Sequence, residues 1–456
     1  MPIDLKPIFE LDLGQKIGQL RAQPINLGPG AAPAFFAAYC ADFDVDPYVE
    51  MFFFPSDTLK LAVIDAAGKV LWKKDLGRGV VPGMWFCPFF AMDFDGDGVD
   101  EIYFVNNTDP NHPLGVSNYK LERLDAGNGK TTGQWAWPCH RPNQSLSHLF
   151  RNFILGGRVK GRPVLVTAQG TYEDMFLQGW NPGMSPRWSS EIPVSAPGAR
   201  GSHRCPIVDI DGDGSDEFTW GERVLRFDTG KEMFCCDRDT YRGHSDVADP
   251  VFDPKSKRWF IYTCRESDDR GAPRVALFDD TGKRVWGALE KGHIDMGWAA
   301  RLGDNYEYVS MAIKIGHKTC GPDGRFHQDM EEFTFETFSG RQIKLPFSIY
   351  RTVPVDLDGD GRHELVRGIA SGNGEVIDRK GRPIGDVKGP VALASKFLAL
   401  PGEQLLAYYP DGKLRVWADR NANDTPEAAL RYEHPFYRAN NRLTATGYNL
   451  GAVAGI

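Results

Sequence analysis

The stretch GSHRCPIVDIDGDGSDEF, Gly201 to Phe218, decides how the whole chain is read. A His-Arg pair opens a short apolar run, and an acidic Asp-x-Asp-Gly-Asp-Gly loop ends it. The loop recurs as DFDGDGVDE at 93–101 and DLDGDGRHE at 356–364, with a degenerate form, DFDVDPYVE, at 42–50. Each copy lies between two apolar runs: AAYCA and MFFF, FFAM and IYFV, CPIV and FTW, TVPV and LVRG. Strand, acidic turn, strand is the repeated phrase. Repetition at this period indicates stacked units rather than separate domains.

A second signature follows several of the loops. LAVIDAAGKVLWKKD (61–75), YKLERLDAGNGKTTGQW (119–135), VLRFDTGKEMF (224–234), VALFDDTGKRVWG (275–287) and EVIDRKGRPIGD (375–386) read as hairpins with glycine at the turn. Together the signatures give four short antiparallel strands per unit. Units begin near Ala32, Trp85, Ser147, Ser202, Gly243, Gly292, Ile349 and Val391. The expected fold is all-β: a single-domain β-propeller over residues 1–456, with eight four-stranded blades and seven as the alternative count. FELDLG (9–14) and YRANNRLTATGYNLG (437–451) are expected to close the ring as strands.

Composition agrees. Of 456 residues 41% are hydrophobic, and 50 glycines and 31 prolines suit many short strands joined by turns. The net charge of −8 comes without a basic stripe, which argues against a nucleic-acid partner. No apolar run reaches the ~18 residues of a membrane span, so no membrane partner is expected. MPIDLKPIFELDLG has neither a charged n-region nor an apolar h-region. The expectation is a cytoplasmic protein if Met1 is native, and a secreted one with its signal removed otherwise; a monomer is expected. The eight cysteines (40, 87, 139, 205, 235, 236, 264, 320) form no CxxC pair and read mostly as buried thiols.

Aspartates at loop positions 1, 3 and 5 with a carboxylate at position 9 can surround one hard cation, and glycine at position 6 permits the turn. The candidate calcium ligands are Asp93, Asp95, Asp97 and Glu101; Asp209, Asp211, Asp213 and Glu217; and Asp356, Asp358, Asp360 and Glu364. Asp42, Asp44, Asp46 and Glu50 have Pro47 where glycine is expected. A structural ion stapling each turn is the expected role.

Six residues before the first aspartate stand Cys87, His203 and Tyr350. Carrying that alignment through the other units adds His148, His244 and His293. Five consecutive units thus place His, His, His, His and Tyr where inner strands begin, at one mouth of the central channel. Arg204, Arg351, Arg151 and Arg242 lie beside them, and Asp246 and Asp295 follow their histidines by two. Such a ring is a candidate site. Two chemistries stay open: proton abstraction by His or Tyr with Arg neutralising a carboxylate, and zinc or another transition metal held by His148, His203, His244 or His293 with Cys264. Tyr172 and Tyr241 are candidate proton donors on entrance loops. Trp85, Trp180 and Trp298 serve equally as sugar platforms or core. GHKTCG, with His317 and Cys320, is weak as a metal motif; His112, His140, His327, His363 and His434 have no positional argument.

With these motifs in view the chain resembles calcium-binding β-propeller polysaccharide lyases: the rhamnogalacturonan lyases of family 11, with eight blades, and ulvan lyases, with seven. The acidic loops, the GHSD and GHID strand starts, and HPFYRANNRLTATGYN (434–449) carry the resemblance. It implies β-elimination next to a uronic acid in a rhamnose-containing acidic polysaccharide or oligosaccharide. It also implies His148 and His203 as base or acid, Tyr241 or Tyr350 as partner, and Arg204, Arg242 and Arg351 as neutralisers. Other readings are a glycoside hydrolase with paired carboxylates and a non-catalytic carbohydrate-binding or adhesion propeller with structural calcium.

Overall fold

The computed structural model describes residues 2–138, 145–266, 271–320, 326–369, 372–443 and 449–456. It is a ring of eight four-stranded antiparallel sheets, the eight-bladed β-propeller. The inner strands are Gln19–Ile25, Phe89–Met92, Asn152–Val159, Ile207–Val208, Ser245–Asp253, His293–Arg301, Val353–Val355 and Val391–Ser395. The inner strand of blade 8 packs back on that of blade 1, which closes the circle. The outermost strand of blade 8 is N-terminal: Leu5–Asp12 pairs with Lys413–Asp419. Core clusters lie mostly between neighbouring blades, so each sheet hides its faces on the next.

Two expectations need correction. Blade 1 starts at Gln19–Ile25, one strand before Ala32, because QLRAQPI looks too polar for an inner strand. Its polar side chains are buried and paired with the next blade's backbone. Gln19 donates to the Pro82 carbonyl (2.6 Å), Arg21 to that of Cys87 (3.0 Å) and Gln23 to that of Ala91 (2.8 Å). The loop at 42–50 therefore joins the second and third strands, Ala34–Cys40 and Lys60–Asp65, and lies at the opposite end from the other acidic loops.

The C-terminal segment is not a closing strand. Helices Pro426–Glu433 and Pro435–Asn440 and the 3-10 turn Asn449–Gly455 fold inward instead. Asn440 accepts from the Ile207 amide (2.9 Å) and donates to its carbonyl (2.7 Å), clamping the inner strand of blade 4. The 3-10 turn packs on the inner strands of blades 5 to 8. Residues 444–448 lie outside the described residues.

A buried ion pair fixes this plug. Arg431 Nη1 is 2.7 Å from Glu403 Oε1, with neither side chain more than 1% exposed. The Tyr437 and Tyr432 hydroxyls donate to Glu403 (2.6 Å) and Asp356 (2.7 Å). Arg431→Met leaves Glu403 buried without its cation. It is expected to cost about 3–5 kcal/mol, read from the urea midpoint; a loss below about 1 kcal/mol contradicts this account.

Candidate active site at the channel mouth

The opening stretch builds the site by stitching blade 4 to its neighbours. The Gly201 amide donates to the Thr171 carbonyl of blade 3 (2.9 Å). Ser202 bridges Ser245 of blade 5, and its hydroxyl donates to the Asp246 carbonyl (3.2 Å). Gly221 (φ +63°) passes so near the Arg200 carbonyl that a Cβ would lie 2.1 Å away. His203 is thereby held against the entrance of blade 5, where His244 and Asp246 emerge.

A buried bracket holds His244 from behind. Glu222 accepts from the Ser245 hydroxyl (2.7 Å) and from Arg265 (2.7 and 2.6 Å), with both members of the ion pair fully buried. The Arg265 guanidinium covers the Tyr241 ring at 4.1 Å, and the Tyr241 hydroxyl donates to the His244 carbonyl.

The rings of His203 and His244 lie 4.6 Å apart. Asp246 Oδ1 faces both, 3.1 Å from His244 Nε2 and 3.7 Å from His203 Nδ1. A second group adjoins: His293 Nε2 is 3.3 Å from Asp295 Oδ1 and 3.6 Å from Glu266 Oε1, and Glu266 also reaches His244 (3.8 Å). The Tyr172 hydroxyl is 3.2 Å from His203 Nε2, and its ring packs on His244 at 4.6 Å. Arg151 lies over the rings of Trp85 (5.1 Å) and Tyr172 (5.2 Å) and pairs with Asp46 (3.0 Å).

Burial sets the protonation states. It pushes His244 down to about 3, with the Arg151 charge adding to the effect. Burial, then His244 and Arg151, also holds His203 well below the ordinary imidazole range. Both rings are neutral near pH 7. Burial, followed by Asp295 and Glu266, raises Asp246 well above the carboxylate range. Burial keeps the Tyr172 phenol protonated.

Two groups of donor atoms each fall within 4.8 Å: His203, His244 and Asp246, and Asp246, His293 and Asp295. Asp246 Oδ1 and His244 Nε2 are buried without a hydrogen-bond partner. Neutral imidazoles facing crowded carboxylates suit a divalent cation.

Of the sequence-predicted residues, His203, His244 and His293 converge. His148 is buried one blade away, with Nδ1 3.8 Å from Glu173. Tyr350 and Arg351 stand at the entrance of blade 7, the guanidinium over the ring at 4.9 Å. Arg242 is exposed beside Tyr241. Tyr241 is corrected to a positioning residue, its hydroxyl committed to the backbone of His244. Arg204 is corrected too: it turns into the ring, buried, with Nε 3.1 Å from Asp249 and a bond to the Gly297 carbonyl. The Cys264 thiol faces the Tyr262 hydroxyl (3.7 Å) outside both donor groups. His140, Cys139 and the side chains of Cys320 and His327 lie outside the described residues.

Sequence reasoning missed Glu266 and the true place of Asp46. Glu266 follows the second strand of blade 5, and its amide donates to the His244 carbonyl (3.1 Å), so only the sheet register reveals it. Asp46 belongs to the degenerate acidic loop; blade 1's earlier start carries it to the mouth, where it pairs with Arg151. The large cavity, about 1120 Å³, opens at the other end of the channel, beside Asp93, Asp209 and Arg442. It has volume but lacks the buried histidine cluster.

The comparisons with known proteins bear on this end of the ring. Residues 155–320 match the family profile described as rhamnogalacturonan lyase family 11, C-terminal domain. That span contains Tyr172, His203, His244, Asp246, Glu266, His293 and Asp295. The rhamnogalacturonan endolyase YesW of Bacillus subtilis (strain 168) is 26% identical over 293 residues, 55% of this chain and 46% of that protein. Over that part of its length the chain is similar to rhamnogalacturonan lyases. The exolyase YesX of the same organism is 26% identical over 277 residues, 53% of this chain and 44% of that protein. The matches thus span a little under half of each relative's length. The solved Bacillus licheniformis rhamnogalacturonan lyase PL11 superposes with a TM-score of 0.75 at 18% identity, covering 97% of this chain and 82% of that one. At that identity the superposition speaks for the shared propeller alone.

Tyr241→Phe removes one of the two hydrogen bonds on the His244 carbonyl, leaving that of the Glu266 amide, and is expected to cost about 0.5–1.5 kcal/mol by urea denaturation; an unchanged midpoint contradicts the bracket.

Proposed function

We propose that the chain cleaves rhamnogalacturonan by β-elimination beside its uronic acid, with the His203–His244–His293 mouth as the active site. The observation that carries this reading is the convergence of neutral imidazoles, crowded carboxylates and a protonated phenol within the stretch that matches the lyase family. A binding propeller has no use for so much buried, costly polarity.

His203, His244 and Asp246 would hold a divalent cation, zinc or another transition metal, with Asp295 and Glu266 adding negative charge. When bound, it supplies a positive charge beside the uronate carboxylate, which lowers the cost of removing the proton at C5. His293, the most open of the three rings, is the base, its ring oriented by Asp295 and Glu266. As the C5–H electrons form the C4–C5 double bond, the C4–O bond breaks. Tyr172 gives its proton to the leaving oxygen and regains one through solvent from His293. Arg242 and Arg351, on the flanks of the mouth, receive further carboxylates of the acidic glycan.

Calcium belongs, in this proposal, to the far end. Each acidic loop closes in the same way. The position-9 glutamate accepts from the amide after the first aspartate: Glu101 from Phe94 (2.9 Å), Glu217 from Ile210 (3.2 Å) and Glu364 from Leu357 (3.1 Å). The loops differ in their cations. Arg226 reaches Asp211 (3.0 Å) and Glu217 (3.5 Å), and Arg379 reaches Asp360 (3.1 Å) and Glu364 (3.8 Å). Among the described ion pairs none of this kind caps Asp93, Asp95 or Asp97, and burial raises Glu101 to about 7. The loop at 93–101 is therefore the strongest calcium seat. At a hundredfold excess over Kd the ion adds about 2.7 kcal/mol, and Asp93→Asn removes most of that gain in thermal melts. Equal calcium stabilisation of Asp93→Asn and the parent protein contradicts the assignment.

The activity is tested by the ultraviolet absorbance of unsaturated uronide formed from rhamnogalacturonan. Tyr172→Phe and His293→Ala are each expected to lower kcat by about 10²–10⁴-fold. Chelation is expected to abolish turnover and a divalent ion to restore it. Tight glycan binding without unsaturated product identifies a binding propeller instead.

A further inference from the structure

Blade 1 carries an apolar lip on the active-site side. Phe43, Tyr48, Val49, Met51, Phe53 and Phe54 are all exposed, Val49 by 72% and Phe54 by 70%. Among the described residues the other exposed large apolar side chains, such as Ile8, Val194 and Leu430, are scattered through the chain. A concentration of this kind marks a binding surface.

The lip has a rigid base that is continuous with the active site. Asp46 accepts from the Tyr48 amide (2.7 Å) and pairs with Arg151 (3.0 Å). Arg151 in turn lies over Tyr172, which bonds His203. The Met51 and Phe52 amides both donate to the Tyr48 carbonyl (2.8 and 2.9 Å), and Phe52 packs on Phe86 at 6.0 Å and Phe54 at 5.1 Å.

Charge then selects the occupant. Glu50 stands exposed among the aromatics with Asp42 beside them, whereas Asp44 accepts from the Met84 amide (2.9 Å) and Asp46 is paired with Arg151 (3.0 Å). A uronate laid there meets like charge, whereas a neutral sugar does not. A deoxyhexose adds an apolar C–H face and a methyl group, both matched to aromatic rings.

We infer that this lip is a subsite for the neutral deoxyhexose units of the glycan, which stack on Tyr48 and Phe54 while a neighbouring uronate occupies the histidine mouth. The inference rests on the rhamnogalacturonan reading above.

Calorimetric titration tests it with rhamnogalacturonan oligosaccharides and, in parallel, polygalacturonate oligosaccharides of equal length. The proteins are the parent, Phe43→Ser/Phe54→Ser, and the exposed control Leu430→Ser. The double variant is expected to bind the rhamnose-containing oligosaccharides about tenfold more weakly. Its affinity for polygalacturonate and its turnover at saturating rhamnogalacturonan are expected to match the parent, and Leu430→Ser to behave as the parent throughout. Unchanged affinity, equal losses on both glycans, or an equal loss in Leu430→Ser overturns the inference. So does vesicle binding or self-association of the parent that disappears in the double variant. If the parent forms no unsaturated product but the affinity pattern holds, the lyase reading fails and the subsite stands.

Discussion

Burying Asp246 against two neutral imidazoles is the constraint on which the site depends. A buried carboxylate with one oxygen, Oδ1, lacking a hydrogen-bond donor, beside Asp295 and Glu266, is costly in a low-dielectric setting. The surrounding structure has to hold that arrangement in place. Ser202 and Ser245 stitch blades 4 and 5 together, the Glu222–Arg265 pair braces the strand start, and Tyr241 pins the His244 backbone. Their sum holds two imidazoles and three carboxylates at fixed distances from one another.

The propeller separates the histidine cluster from the acidic loops along each inner strand. Strand starts converge at one mouth and bring residues from blades 4, 5 and 6 together. Strand ends carry the acidic loops, whose aspartates and glutamates mainly organise their own backbone. Between the ends sits the C-terminal plug, fastened by Asn440 and by Arg431 with Glu403. The two mouths are therefore different surfaces: one holds buried histidines, the other a wide cavity without them.

Much of this was legible because turn chemistry is local. The Asp-Gly loops and glycine hairpins marked the blades, and the histidines at equivalent positions marked the mouth. Blade 1 was misphased because Gln19, Arg21 and Gln23 satisfy themselves on a neighbouring blade, which no local pattern reveals. The C-terminal helix did leave a signal: Thr425 caps Ala428 (3.2 Å) ahead of Pro426, a helix start that the strand reading passed over. The roles of Tyr241 and Arg204 were out of reach. Both residues stand beside the right histidines in sequence, and only packing between blades turns one onto a carbonyl and the other onto Asp249.

The central claim is that this mouth performs an elimination, and product analysis in heavy-oxygen water tests it most directly. Cleavage of rhamnogalacturonan by elimination takes up no solvent oxygen, so mass spectrometry should find unlabelled fragments with an unsaturated uronide at the new non-reducing end. Fragments carrying solvent oxygen at the cleaved bond and no unsaturation would mean hydrolysis, and the assignment of His293 and Tyr172 as base and acid would fall with it.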